Sequence, residues 1–133
     1  MPSLGRAADA AFRGLRETLL MPLGGGSWIR EYSYTSQVIL NAQLESLLAI
    51  ESYARIAKTA AARGLVARLE LSTRTLLPRF ELGCWARYQL DGPAADVHYQ
   101  TYHVDLLRRV WVNLDVVWGG ALVVAAAATL FLP

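Results

Sequence analysis

The sequence predicts an all-α fold: a partial α/α toroid built of helical hairpins, with short extended aromatic segments at one end. Three observations carry that prediction. Apolar residues recur at helical spacing over four long stretches. Two of these stretches follow each other across a short break, the pattern of an αα-hairpin. Segments rich in aromatic and turn residues separate the helices, and such loops on a helical scaffold are where binding side chains concentrate. Periodicity alone fits an ordinary helical bundle equally well. The helix pairs are too few to close a ring, so the chain reads as a piece of a larger toroid.

Composition bounds the rest. A chain of 133 residues allows one small domain. It divides into an N-terminal amphipathic helix (1–24), a central helical domain (25–110) and an apolar C-terminal helix (111–133). The apolar fraction is 54 %, above the usual range, and much of the excess lies in the last twenty residues. The net charge is +2 and the basic residues are scattered, which argues against a nucleic-acid arm or a polybasic membrane patch. Cys84 is the one cysteine, so an internal disulfide and a CxxC metal site are excluded. It reads as a small apolar core residue. Arg6, Asp9, Arg13, Arg16 and Glu17 interrupt the N-terminus, so no signal peptide is expected.

The elements follow in order. Leu4–Leu20 places Leu4, Ala8, Phe12, Leu15 and Leu19 near one helical face, with Ser3 as N-cap. Pro22 and Gly24 to Gly26 end it. Ser27–Tyr34 alternates and is rich in aromatics, which predicts a short extended segment. Ser36 to Lys58 predicts a long helix whose wide apolar surface is buried by neighbours. A break is expected over Thr59–Gly64, then a helix over Leu65–Leu77 that Pro78 terminates. Phe80–Leu90 reads as extended or turn-rich, and Asp91-Gly92-Pro93 as a turn. Helical spacing resumes near Thr101. Val116–Leu132 carries no charge. It is short for a membrane span, which needs about 20 apolar residues, and reads rather as a final helix packed on a partner.

The stretch Gly83–His103 holds three tyrosines, a tryptophan, two histidines and an arginine between helical patterns. With Gly26-Ser-Trp-Ile-Arg-Glu-Tyr32, Val38-Ile-Leu-Asn41 and Leu76-Leu-Pro-Arg-Phe80 it forms an ordered series of blocks that also includes Trp85-Ala-Arg-Tyr-Gln-Leu90 and Tyr99-Gln-Thr-Tyr-His-Val-Asp-Leu-Leu107. In content, order and spacing the five blocks resemble the C-terminal domain of D-glucuronyl C5-epimerases, over Gly25 to about Arg108. The resemblance implies an α/α toroid and a glycosaminoglycan-type polysaccharide substrate such as a heparan sulfate precursor. Matched position by position, it implies Glu31, Tyr32, Tyr88 and Tyr99 as catalytic residues, and Arg30, Asn41, Arg87 and His103 as substrate-binding residues. Two positions depart from the family pattern. Asp91 stands where an arginine would hold the substrate carboxylate, and Gln100 where a histidine is frequent. Arg87 and Arg30 are the available substitutes.

The chemistry explains the residue types. Removing the C5 hydrogen of a uronate gives a carbanion that spreads into an enediolate, and inversion needs a base on one face and an acid on the other. A tyrosine phenol serves either role, but its ordinary pKa is about 10, so a base needs a nearby cation or donor to lower it. The developing dianion needs donors or positive charge aimed at it. Tyr88 and Tyr99 are the expected opposed proton-transfer pair, assisted by Tyr32 and Glu31. His98 and His103 lack a third ligand for a catalytic zinc, so neither metal nor cofactor is expected. The expected partner is a uronic-acid polysaccharide and not nucleic acid. Val116–Leu132 is the one membrane-contact candidate, and a homodimer is compatible with the sequence. The competing readings are a catalytically degenerate carbohydrate-binding module and a small membrane-attached helical protein.

Overall fold

A computed structural model describes residues 2–83 and 85–114. Four helices dominate: α1 (Pro2–Thr18), α2 (Leu40–Ala57), α3 (Ala60–Leu76) and α4 (Val97–Leu114). The all-α expectation holds at this level. Two small antiparallel hairpins accompany them, β1 (Leu20–Leu23) with β2 (Gly26–Ile29), and β3 (Glu81–Leu82) with β4 (Trp85–Ala86).

Helices α2 and α3 form the αα-hairpin, and α4 packs on the other side of α2. The break between α2 and α3 is only two residues. Lys58 takes a left-handed conformation (φ 55°) and closes α2 through its N–H to the Ala54 carbonyl. The Thr59 hydroxyl then accepts from the Ala62 N–H at 3.2 Å, a side-chain N-cap that starts α3. Pro78 does not stop the chain's helical course at once. It sits in one tight turn, Leu77–Phe80, that carries the chain off the end of α3.

The triple glycine builds a hairpin rather than a plain break. Gly24 and Gly25 both have positive φ (60° and 77°), as a two-residue turn between right-twisted strands requires. Gly26 lies against α3 so closely that a Cβ would fall 2.2 Å from the Arg68 carbonyl oxygen. Strand β2 therefore packs on the backbone of α3, and Ser27, Trp28 and Ile29 are all buried. Trp28 stacks on Phe80 with ring centroids 5.7 Å apart.

The core is one cluster in which Leu40, Leu44, Leu47, Leu65, Leu69, Leu76, Leu106 and Val110 meet Trp28 and Phe80. Burying a leucine-sized side chain contributes about 1.5–3 kcal/mol, so this cluster is the main source of stability. Helix α1 joins at the edge through Phe12 and Leu15, with Leu19 just beyond its end. Phe12 stacks on Tyr53 at 4.6 Å, and the Tyr53 hydroxyl donates to Asp9 at 2.6 Å.

One buried amide ties three elements together. Gln43 Oε1 accepts from the Ile29 N–H at 2.8 Å. Its Nε2 lies 3.0 Å from the Ser27 carbonyl, 3.3 Å from the Leu69 carbonyl and 3.0 Å from Thr73 Oγ1. Strand β2, α2 and α3 are thus bolted at one point. Among the described residues no helix is long and apolar enough to cross a membrane. The expected apolar segment Val116–Leu132, like Cys84, lies outside the described residues.

Candidate active site

The segment after β4 is held between two helices. The Leu40 N–H donates to the Tyr88 carbonyl at 3.1 Å, and the Leu90 N–H to the Val38 carbonyl at 2.9 Å. On its other side the Ala95 N–H donates to the Ala86 carbonyl, and the Ala86 N–H donates to Gln100 Oε1, each at 2.8 Å. These bonds set Tyr88 beside the N-terminus of α2 and against the first turn of α4. That turn is fixed by Asp96, whose Oδ1 accepts from the Tyr99 N–H at 2.8 Å.

The result is a tyrosine cluster. The rings of Tyr88 and Tyr99 touch, with centroids 4.5 Å apart and planes tilted by 58°. His98 and His103 flank Tyr99 at 5.3 and 6.3 Å. Glu31 and Tyr32, on the loop after β2, act electrostatically on the Tyr88 phenol. Tyr88 is pushed up to about 12, first by burial, then by the Glu31 carboxylate, and further by Tyr99, which is also its hydrogen-bond partner, and by Tyr32. The Tyr88 phenol therefore keeps its proton through the neutral range. All four residues expected to be catalytic share one neighbourhood.

Their arrangement differs from the expectation in one respect. Tyr88 and Tyr99 do not flank a sugar ring from opposite sides, because rings in contact leave no room for one between them. The cause is the pinning just described, in which Ala86 and Gln100 draw the two segments together.

The four expected binding residues have different settings. Asn41, in the first turn of α2, is buried. Its Nδ2 reaches Glu45 at 3.5 Å, and its Oδ1 has no hydrogen-bond partner among the described residues. His103 is fully buried and neither ring nitrogen has such a partner. Burial pushes it down to about 4, so it is neutral near pH 7. Arg30 straps the loop after β2 by donating to the Thr18 carbonyl at 2.9 Å and the Ser33 carbonyl at 3.3 Å. Arg87 donates to the Gly92 carbonyl in the turn. Both guanidinium groups thus bond backbone oxygens, although Arg30 Nε is buried with no partner among the described residues.

The two departing positions also have structural uses. Asp91 has a left-handed backbone (φ 57°), which Asp tolerates better than most residues, and it forms an ion pair with Arg79. Gln100 is buried and holds β4.

With this geometry in view, comparison with known families is decisive at one level. The family described as the D-glucuronyl C5-epimerase C-terminus matches residues 10–115. The chain belongs to that family. No curated protein and no solved structure gives a match. Membership makes this a glucuronyl epimerase-related domain whose family acts on polysaccharide. Against that family's chemistry, the cluster supplies proton donors and one carboxylate. Among the described residues no group of three or more His, Cys, Asp or Glu could hold a metal ion.

Sequence reasoning passed over three contributors. Asp96 was visible as an N-cap residue ahead of an apolar repeat. Gln43 carried no local signal, since its partners lie 14 to 30 residues away. Glu45 sits one turn beyond Asn41 and takes the Tyr102 hydroxyl as donor, a contact between helices that spacing does not encode.

Proposed function

We propose that this chain supplies a uronate C5-epimerase site that acts on D-glucuronate units of a glycosaminoglycan-type polysaccharide. The observation that carries it is the shared neighbourhood of Glu31, Tyr32, Tyr88 and Tyr99, with a Tyr88 phenol that holds its proton. In the reaction the C5–H bond breaks and its electron pair moves into the C5–C6 enediolate. A carboxylate such as Glu31 is the acceptor suited to that proton. A new C5–H bond then forms on the other face from a phenol O–H, for which Tyr88 and Tyr99 are the donors; the phenolate recovers a proton from solvent and the Glu31 carboxyl releases its proton to solvent, which restores the starting state.

The developing dianion needs compensation. The N-terminus of α2 carries about half a positive charge, and Tyr88 packs beside it through Leu40. The amide of Asn41 sits in that same turn. These groups stand in for the arginine that Asp91 replaces. His103, Arg30 and Arg87 hold the walls around them.

The test is incorporation of solvent deuterium at C5 of a glucuronate-containing polysaccharide in D₂O. Tyr88→Phe and Tyr99→Phe are each expected to slow exchange about 10²–10⁴-fold, the usual worth of a positioned acid or base. No exchange with the unaltered chain, or full exchange in both variants, overturns the proposal. A second reading, a binding module without chemistry, is favoured by the Asp91–Arg79 ion pair. Polysaccharide binding without proton exchange would select it.

A further inference from the structure

Beside the cluster, the loop after β2 presents two tyrosines in an unusual posture. Tyr32 and Tyr34 lie nearly parallel, with ring centroids 5.3 Å apart and planes 12° from one another. They are 50 % and 83 % exposed. Single exposed apolar side chains need no explanation, but two aromatic rings stacked on each other in water form a contiguous patch, and such patches mark binding surfaces. We propose that Tyr34, backed by Tyr32, is a stacking platform for the sugar unit adjacent to the one that reacts. This rests on the epimerase reading above for the choice of sugar.

Three features of the loop argue for it. First, the backbone is held. Arg30 binds the Ser33 carbonyl at 3.3 Å and the Thr18 carbonyl at 2.9 Å, the Thr35 N–H meets the Tyr32 carbonyl at 3.3 Å, and the Gln37 N–H meets Thr35 Oγ1 at 3.2 Å. The platform is set before a ligand arrives, which lowers the ordering cost of binding. Second, the position is right. Tyr32 acts on the Tyr88 phenol, so Tyr34 lies one side chain further out from the cluster, as the next unit of a chain would. Third, the chemistry fits. A pyranose has an apolar C–H face that packs on an aromatic ring, while the phenol hydroxyl bonds the sugar hydroxyls at the rim. The platform carries no charge, so it accepts a neutral sugar next to a uronate.

The experiment measures affinity by calorimetry for glucuronate-containing disaccharide and hexasaccharide, using the full chain. Tyr34→Ala is expected to weaken hexasaccharide binding about three- to tenfold, the usual worth of an aromatic stacking contact, and to leave disaccharide binding as it is. Tyr34→Trp is expected to retain hexasaccharide binding. An unchanged melting temperature shows that the loop still folds. Equal affinities for both lengths in the Tyr34→Ala variant and the unaltered chain, an equal loss for both lengths, or no binding of either oligosaccharide overturns the platform. Deuterium exchange at C5 separates the two proposals: length-dependent loss without exchange leaves the platform standing and removes the epimerase reading, and exchange without length dependence does the reverse.

Discussion

Gln43 and His103 sit on neighbouring helices and are buried to the same degree, yet they have opposite surroundings. Gln43 has a partner for its carbonyl and three for its amide nitrogen. His103 has none for either nitrogen among the described residues. A buried polar group normally finds its partners, and each exception needs a reason. Gln43 lies where β2, α2 and α3 meet and is a joint. His103 lies behind Tyr99 at the candidate site, and Asn41 on α2 likewise has an unpartnered side-chain oxygen. Trp28 Nε1 and Ser72 Oγ are also buried without a partner among the described residues, so the contrast is drawn for this pair alone: Gln43 holds the fold, and His103 is held by it at a cost.

The largest effect that tests this contrast belongs to the joint. Gln43→Leu keeps much of the volume but leaves the Ile29 N–H and the Ser27 carbonyl without their partner. An unsatisfied buried group costs about 1–3 kcal/mol, so the substitution should destabilise by about 2–5 kcal/mol. Urea unfolding measures it, and a loss under about 1 kcal/mol would mean that water replaces the amide.

His103 should behave in the reverse sense. Its folded pKa is about 4 against an ordinary 6.5, so the unfolded chain binds the extra proton first as the pH falls. Stability is full above pH 6.5 and drops through pH 4. The shift corresponds to a loss of at most about 3 kcal/mol at about 1.4 kcal/mol per pH unit. His103→Leu should stabilise the fold by about 1–3 kcal/mol by removing two unpaired nitrogens. It should also flatten the pH dependence relative to the unaltered chain. A destabilised variant with the same pH slope would show that the ring is satisfied after all.

The two regions also differed in how far the sequence revealed them. The four helices, the αα-hairpin and the turn at Asp91 were legible because periodicity, caps and glycine are local signals. The helix starts were less so. Helix α2 begins at Leu40 and not near Ser36, because Val38 and Ile39 pair with the segment around Gln89 and Leu90. That pairing removes them from the helix and is invisible along the chain. Strand β1 was hidden for a similar reason. Pro22 disguises it, though an edge strand with that residue facing water tolerates proline. At the site, resemblance brought Glu31, Tyr32, Tyr88 and Tyr99 together as a set. Their mutual placement follows from the bonds of Ala86, Ala95 and Gln100, which no spacing rule contains. Most of the run Gly26 to Tyr32 turns out to serve the scaffold. Gly26 to Ile29 packs on α3, Arg30 straps the loop, and only Glu31 and Tyr32 face the cluster.

The smallest effect concerns Asp91, one of the two positions that the resemblance reads as departures from the family pattern. The Asp91–Arg79 ion pair is exposed on both sides, and such pairs contribute about 0–1 kcal/mol. Asp91→Asn removes the charge but suits the left-handed backbone, so unfolding should shift by less than about 1 kcal/mol, and 1 M salt should erase the difference between the two chains. Asp91→Arg adds a cost of about 1–2 kcal/mol for the backbone conformation and sets two arginines together. Affinity for glucuronate is the informative readout of that variant. A gain would mean that the turn still points toward the substrate carboxylate and that the ion pair with Arg79 had displaced the family's cation. Unchanged affinity with the expected loss of stability would mean that compensation of the carboxylate has passed to other groups, the N-terminus of α2 and Asn41 being the ones proposed above.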